Sequence, residues 1–289
     1  MDAMGWSGFI GGRLWQGAFT LPVFIACHTC RMCLIAIAWR VDARFPVVLA
    51  ANRDEFHARP TAPMAWWPGE PRILAGRDLQ AGGTWLGALR SGRFAALTNY
   101  RDPALQREGA PSRGVVVPTV LRGPASLDDA VAAAVEAAGD ANPWNLLAGE
   151  GESLLYHASM TGETRRLGPG VHLLSNHLLG TPWPKVLRVQ EGMPAALRAL
   201  PRLETLRVLF NDTAPAPDSL LPSTGVGLDL ERLLSAVHIR APGYGTRCTT
   251  VGLCDVAGHW QWHEWSFGPA AEPAGEVHFT YPGGGPPAR

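Results

Sequence analysis

The chain has 289 residues and a mass of 31.0 kDa, and 46% of its residues are hydrophobic while 17% are charged. This hydrophobic content excludes wholesale disorder, and we find no run of about 18 apolar residues that would favour stable membrane insertion. Lys+Arg and Asp+Glu both number 25, so the formal net charge is zero and a nucleic-acid-binding surface is not expected.

The first 31 residues lack periodicity, and we interpret residues 1–31 as an extension that is not part of the fold. Met32 would then be the initiator and Cys33 the second residue. Two other interpretations stay open for the apolar run at 21–26. It could be the core of a weak signal peptide, and the segment 24–27 resembles a lipoprotein cleavage box.

The five cysteines do not suggest a disulfide framework, because their number is odd and the chain is long. Three of them form Cys27-x-x-Cys30-x-x-Cys33, which could hold a metal ion or an iron–sulfur cluster. No second cysteine pair with a familiar ligand spacing follows, so we predict no metal site. Reduced thiols and the lack of a convincing signal favour a cytoplasmic location.

From residue 34 onward the pattern becomes regular, with apolar runs separated by turn residues. Strands are predicted at 34–39, 46–51, 73–77, 84–89, 93–98, 146–147, 153–158, 171–174, 246–255 and 259–267. Helices are predicted at 112–122, 126–138, 184–200, 202–210 and 229–237. Strands followed by helices and then by strands again indicate an α+β domain with antiparallel sheets.

We predict one domain at 32–270, followed by a Pro- and Gly-rich tail at 271–289 that is expected to be loose. No Gly-x-Gly-x-x-Gly motif follows a strand and no phosphate-binding loop is present. We therefore predict no nucleotide cofactor.

Four consecutive polar residues, Asn52-Arg53-Asp54-Glu55, end the second predicted strand. A strand end is a rigid support for reactive side chains, and an arginine beside two carboxylates can form a hydrogen-bond network. The alternative is an exposed turn with a local ion pair, which would contribute little stability.

Cys33 is a candidate nucleophile, because a thiolate is strongly nucleophilic when a nearby base or cation lowers the pKa of the thiol. Removal of Met32 would leave Cys33 with an α-amine whose pKa is about 8, and this amine could serve as the general base. The alternative is a small buried residue at the start of a strand.

Two asparagines, Asn99 and Asn176, follow predicted strands, and their amides could stabilise a developing oxyanion. Both could instead be simple turn residues. Arg247 opens a late strand, where it could equally form a structural salt bridge. The nine histidines have no spacing that suggests a metal site.

Together these segments resemble the NRDE family, also called the transport and Golgi organisation protein 2 family. The matching segments recur in the family's order and are Met32-Cys33, Ala51-Asn52-Arg53-Asp54-Glu55-Phe56, Arg59-Pro60, Ala75-Gly76-Arg77-Asp78, Gly82-Gly83-Thr84-Trp85-Leu86-Gly87, Leu97-Thr98-Asn99-Tyr100-Arg101, Leu174-Ser175-Asn176 and Tyr244-Gly245-Thr246-Arg247.

That family is similar to N-terminal-nucleophile hydrolases of the choloylglycine hydrolase and penicillin acylase type. The resemblance implies a four-layer αββα sandwich of two antiparallel sheets. It also implies cleavage of a non-peptide amide through a thioester on an N-terminal cysteine. In the chain as written, a free amine at Cys33 requires the upstream segment to be absent or cleaved.

The resemblance also implies roles for individual residues. Cys33 would be the nucleophile and its amine the base, while Arg53 and Asp54 would orient that amine. Asn99 and Asn176 would bind the oxyanion or the amine. Arg247 would steady the surroundings of the nucleophile.

Two further hypotheses remain. The chain could be a non-catalytic carrier of a small-molecule or lipid-like ligand, such as haem or an acyl-coenzyme A, in which case Cys33 is dispensable. It could also be a lipoprotein anchored through Cys27. Apart from haem as a possible ligand, no cofactor is predicted, and the oligomeric state is not specified by the sequence.

Overall fold

The structure is a computed structural model that describes residues 33–69 and 71–283. The extension expected at 1–31 lies outside the described residues, and so do Cys27 and Cys30. The described strands are β1 Cys33–Trp39, β2 Val47–Phe56, β3 Thr61–Trp66, β4 Ile73–Asp78, β5 Leu86–Leu89, β6 Phe94–Asn99, β7 Trp144–Glu150, β8 Ser153–Ala158, β9 Glu163–Arg166, β10 Gly170–Leu174, β11 Arg240–Ala241, β12 Tyr244–Cys254, β13 His259–Phe267 and β14 Pro273–Pro282. The described helices are α1 Val116–Arg122, α2 Leu127–Ala138, α3 Pro184–Ala199, α4 Glu204–Phe210 and α5 Leu228–Leu234.

The strands form two antiparallel sheets. The first sheet has the order β10-β1-β2-β12-β13-β14, with β11 paired to β12, and the second runs from β3 to β9 in sequence order. A central apolar core contains residues of both sheets, which therefore pack face to face. A second core joins the outer face of the second sheet to α1 and α2, while α3 and α4 contact the first sheet. The expected four-layer αββα sandwich is confirmed.

The strand β2 is longer than the sequence pattern predicts. We expected it to end before Asn52, but it continues to Phe56. The reason is pairing on both sides: Arg53 lies opposite Cys33 of β1, and Asp54 lies opposite Thr246 of β12. The polar cluster is therefore held inside a central strand, where hydrogen bonds fix its backbone.

The predicted helix at 126–138 is confirmed as α2. The side chain of Ser126 caps its first turn, accepting a hydrogen bond from the backbone N–H of Asp129 at 3.3 Å. Such a cap supplies a partner to a backbone donor that the helix itself leaves unpaired. The buried face of α2 then packs on the second sheet.

The segment from residue 271 differs from the loose tail that was expected, because it contains the ten-residue strand β14. This strand pairs with β13 along its whole length. Val277, Phe279 and Tyr281 alternate with exposed residues and pack against the central core. Tyr281 is buried, and its hydroxyl accepts a hydrogen bond from Trp262 Nε1 at 3.0 Å.

The two sheets are joined by hydrogen bonds at the end where β1 begins. The segments that follow β6 of the second sheet and β10 of the first sheet meet there. Thr98 Oγ1 donates to the carbonyl of Ser175 at 2.7 Å, and the N–H of Arg101 donates to the carbonyl of Asn176 at 2.7 Å. Within the described ranges, none of the helices has the length and hydropathy needed to cross a bilayer.

Candidate active site

Cys33 occupies the first position of β1, directly opposite Arg53 of β2. Side chains alternate along a strand, so Cys33 shares a face with Ile35 and Arg53 shares a face with Ala51. Ile35 and Ala51 belong to the central core between the sheets. The thiol and the guanidinium therefore project from the inner face of the first sheet, at the end of the core. Only 6% of the Cys33 surface is exposed.

The backbone nitrogen of Cys33 is held by Asn176. Its N–H donates to Asn176 Oδ1 at 3.2 Å, and Asn176 Nδ2 donates to the backbone carbonyl of Asn99 at 2.9 Å. An amide has one accepting and one donating end. Because the carbonyl of Asn99 engages the donating end, the oxygen is directed to Cys33. Of the two roles implied for Asn176, its position fits binding of the amine.

The carbonyl of Cys33 is also engaged. Ser175 Oγ donates to it at 3.2 Å and lies 3.3 Å from Asn176 Oδ1. The segment after β10 thus holds both backbone polar groups of Cys33. This fixes the position of the cysteine without constraining its side chain.

Asp54 lies on the opposite face of β2 from Arg53, and its carboxyl group is buried. Oδ1 accepts a hydrogen bond from Thr246 Oγ1 at 2.6 Å, whereas Oδ2 has no hydrogen-bond partner among the described residues. Burial raises the pKa of Asp54 to about 6, against the opposing effects of Lys185 and of the Thr246 hydroxyl. Its carboxyl group can therefore take up or release a proton near neutral pH.

Burial raises the pKa of the Cys33 thiol to about 12, and the negative charge of Asp54 adds to the increase. The positive charge of Arg53 and the backbone N–H of Asp54 act in the opposite direction but do not compensate. While its nitrogen remains in a peptide bond, Cys33 is therefore a protonated thiol at neutral pH. A base is needed to make it a nucleophile.

Arg53 belongs to a row of alternating charges that runs from β2 to β4. Arg53 lies 3.6 Å from Glu55, Glu55 lies 3.7 Å from Arg59, and Arg59 lies 2.7 Å from Asp78. All four side chains are largely buried. Several residues of the sequence motifs thus have a structural role, which is to hold the Arg53 guanidinium.

Arg247 lies in a bulge of β12, between Thr246 and Cys248. Its guanidinium donates to the backbone carbonyls of Phe56 at 3.0 Å and Arg59 at 3.1 Å, so it holds the connection between β2 and β3. The structure thus places four of the five other predicted residues, Arg53, Asp54, Asn99 and Asn176, around Cys33. The sixth, Arg247, acts on the neighbouring connection.

One residue of this region was not anticipated from the sequence. Lys185, in the first turn of α3, is 1% exposed, and its Nζ has no hydrogen-bond partner among the described residues. Burial lowers the pKa of Lys185 to about 8, although Asp54 favours its charged form. The sequence feature that could have singled out Lys185 is the composition, because it is the one lysine among 25 basic residues.

Lys185 borders a small cleft that is partly open to solvent. Arg101 also lines it, with its guanidinium 4.1 Å from the ring centre of Trp183 and 2.8 Å from Glu231. The cleft therefore combines an aromatic wall with buried charged groups. Its free volume of about 10 Å³ is enough for about one water molecule.

The part of the chain that the structure describes contains no group of three or more His, Cys, Asp and Glu side chains that could hold a metal ion. It contains three free cysteines, Cys33, Cys248 and Cys254, and all are buried. The predicted Cys27-x-x-Cys30-x-x-Cys33 cluster falls mostly on residues that are not described.

Comparison with known proteins yields one family. The family model described as Transport and Golgi organisation 2 matches residues 32–269. The Transport and Golgi organization protein 2 homolog of Bos taurus is 38% identical over 237 residues, which cover 74% of this chain and 84% of that protein. The Homo sapiens homolog is 37% identical with the same coverage.

Among solved structures, the chain is similar to the Caenorhabditis elegans N-acylethanolamine-hydrolyzing acid amidase (NAAA) ortholog. The sequence identity is 10% and the TM-score is 0.38, with 76% of this chain and 92% of that chain covered.

Proposed function

We propose that this chain, which belongs to the Transport and Golgi organisation 2 family, is a hydrolase that cleaves a non-peptide amide through a thioester on Cys33. The observation that carries the proposal is the 3.2 Å hydrogen bond from the Cys33 nitrogen to Asn176 Oδ1. In a chain that begins at Cys33, this nitrogen is the α-amine. Asn176 then holds the amine beside the thiol that it must activate.

The reaction begins with proton transfer within Cys33. Its α-amine, with a pKa of about 8, takes the thiol proton directly or through one water. The sulfur attacks the amide carbonyl, the C–S bond forms, and the C–N bond breaks as the ammonium protonates the leaving nitrogen. Water then attacks the thioester with the amine again as base. This step releases the acid and restores the thiol.

The neighbouring charges support this sequence of steps. Arg53 stands opposite Cys33 and lowers the pKa of the thiol, so its cation stabilises the thiolate. Asp54 attracts and orients the ammonium that forms after proton transfer. Asn99 fixes Asn176 through its carbonyl, and its side chain remains our candidate for the oxyanion. Arg247 contributes indirectly by holding the connection after β2.

Three buried free thiols support a reducing compartment, for which we propose the cytoplasm.

The test compares two chain forms, one that begins at Cys33 and the 289-residue form. Both are incubated with a panel of N-acyl amines and N-acyl amino acids, and release of free amine is measured. We expect turnover by the form that begins at Cys33 and at least about 100-fold less by the other form. Cys33→Ala should abolish turnover with an unchanged thermal unfolding midpoint.

Two results would overturn the proposal. One is turnover that survives Cys33→Ala, and the other is a protein from the native host that begins at Met1 and lacks a covalent acyl adduct on Cys33 after incubation with the panel. N-terminal sequencing and intact mass measurement read these outcomes directly.

A binding function without chemistry is the alternative, and the raised pKa of the Cys33 thiol favours it while Met32 remains attached. Cys33 would then be a buried strand residue, and the chain would bind haem or an acyl lipid. This alternative requires that haem absorbance or co-purified lipid be unchanged by Cys33→Ala.

A further inference from the structure

We propose that His263 and His278 form a surface site for a divalent transition-metal ion such as Zn²⁺, Cu²⁺ or Ni²⁺, which links the edge strand β14 to β13. The two histidines are distant in the sequence, and strand pairing places them directly opposite each other. No spacing along the sequence could indicate the pair. The site is separate from Cys33 and does not depend on the proposed function.

The two imidazole rings lie side by side on the outer face of the first sheet. Trp260 and Trp262 of β13 belong to the central core, so His263, the next residue along the strand, projects from the opposite face. The ring centres of His263 and His278 are 5.6 Å apart, and the ring planes differ by 20°. His278 is exposed, so ions can reach the pair from solvent.

The separation of the rings suits two ligands of one ion. Zinc binds an imidazole nitrogen at about 2.0–2.1 Å, so two such nitrogens at a tetrahedral angle lie about 3.4 Å apart. Cβ atoms of directly opposite residues are about 5 Å apart, so a small rotation of the rings brings two nitrogens to this distance. His263 Nδ1 is buried without a hydrogen-bond partner among the described residues, which leaves Nε2 for the ion.

A tryptophan holds the ring of His263 from its other side. Trp265 stacks on His263 with 5.8 Å between the ring centres and 18° between the planes. Arg207 of α4 lies over the Trp265 ring at 6.0 Å, so Trp265 is itself supported. His263 is therefore enclosed between Trp265 and His278. Such a ring needs little additional ordering when it binds an ion.

The charges around the pair also favour a metal ion. Only a neutral imidazole offers a lone pair to a metal. Burial lowers the pKa of His263, and the neighbouring His278 acts in the same direction. His263 is thus mostly neutral at pH 7 and available as a ligand. Glu276 lies on the same face of β14, and its negative charge acts in the opposite direction on the His263 pKa. This carboxylate equally attracts a dication.

The ligand type determines the class of ion. Imidazole suits Zn²⁺, Cu²⁺ and Ni²⁺, whereas Mg²⁺ and Ca²⁺ prefer oxygen ligands. The described residues contain no group of three or more His, Cys, Asp and Glu side chains that could hold a metal ion. Water would therefore fill the remaining positions around an ion bound by the pair. Because the two ligands come together only when β13 and β14 are paired, the ion stabilises this pairing.

The test measures the reactivity of individual histidines in the 289-residue protein. Diethyl pyrocarbonate modifies accessible neutral imidazole, and mass spectrometry of the tryptic peptide 248–289 locates each modified histidine. We expect Zn²⁺ to slow the modification of His278 at least about fivefold, because an occupied site leaves little free imidazole. Mg²⁺ should have no such effect.

His263→Ala is the decisive variant, because it removes one ligand and leaves His278 in place. We expect Zn²⁺ to give no protection of His278 in this variant. His259 is the internal control: it is exposed on the same face of β13, but Pro282 and not a histidine lies opposite. Its modification should not change with Zn²⁺ in either protein.

Thermal unfolding provides a second readout. We expect Zn²⁺ to raise the midpoint of the wild type by at least about 3 °C more than that of His278→Ala. His278 is exposed, so its replacement should keep the fold, and this comparison decides alone if His263→Ala does not fold. Zinc bound by cysteines of residues 1–31 would act equally on both proteins, so the difference isolates the histidine pair.

Three results would overturn the proposal. They are protection of His278 that persists in His263→Ala, equal protection by Mg²⁺, and equal midpoint shifts in the wild type and His278→Ala. None of these measurements involves Cys33 or amide turnover, so their outcome leaves the proposed hydrolase unaffected.

Discussion

At the scale of single residues, the buried carboxyl group of Asp54 links the site to the stability of the fold. It is 1% exposed, and only one of its oxygens has a hydrogen-bond partner among the described residues. A buried carboxyl group in this situation prefers its neutral form, which is why its pKa rises. The folded protein therefore holds a proton that the unfolded chain releases at lower pH.

This difference predicts how stability depends on pH. The pKa of Asp54 rises from 3.8 to about 6 on folding. The contribution of its protonated form to the stability of the fold is therefore fully present below about pH 4 and is lost as the pH rises through 6. Between about pH 4 and about pH 7, we expect the free energy of unfolding of the wild type to fall by roughly 3 kcal/mol relative to that of Asp54→Asn.

Urea unfolding of both proteins at several pH values measures this difference. The amide of the variant can still accept the Thr246 hydrogen bond, so that contact serves as an internal control. Parallel stability curves for the two proteins would contradict the raised pKa.

The sequence predicted some residues of the site but not others. Cys33, Arg53 and Asn176 belong to recognisable motifs, and the structure brings them together. Lys185 could not be anticipated in the same way, because a lysine in a helix is usually exposed and its pattern looks ordinary. Its burial follows from how α3 packs on the first sheet, which involves residues distant in sequence.

At the scale of elements, the sequence pattern predicted β2 to be too short and did not predict β14. The second half of β2 is polar and was expected to leave the sheet, yet its charges are compensated by Arg59 and by pairing on both sides. β14 was hidden by flanking prolines and glycines, although its alternation of Phe279 and Tyr281 with polar residues is typical of an edge strand. β14 was thus missed despite its alternation, and β3, β9 and β11 were not predicted either.

Removal of β14 should therefore destabilise the fold. We expect a chain that ends at residue 270 to lose at least about 4 kcal/mol in the free energy of unfolding, since Tyr281 alone buries a large aromatic side chain. A chain that ends at residue 283 keeps the strand and is the matched control. Thermal and urea unfolding measure the difference, and equal stability of the two truncated chains would show that β14 contributes nothing to the fold.

At the scale of the whole molecule, the sandwich depends on pairings that local patterns do not encode. β2 lies between β1 and β12, although about 200 residues separate it from β12. The sequence pattern indicated antiparallel sheets and helices, but the four layers came only from the family resemblance. Non-local strand order cannot be deduced from alternation, because alternation specifies a buried face and not a neighbour.

Among the described residues, the central core extends from Ile35 to Tyr281. We therefore expect a chain that begins at Met32 to unfold at the same temperature as the 289-residue chain, within about 2 °C, a shift worth less than about 1 kcal/mol. Differential scanning calorimetry makes the comparison. A clearly lower midpoint for the shorter chain would show that residues 1–31 stabilise the fold.

The burial of the only lysine also determines how the folded protein meets amine-directed reagents. Succinimidyl dyes, aldehyde-coated surfaces and amine cross-linkers need an accessible primary amine, and Lys185 is 1% exposed. In the native protein such reagents can react only with the α-amine of the first residue. Every molecule would thus be tethered to a support through the same atom.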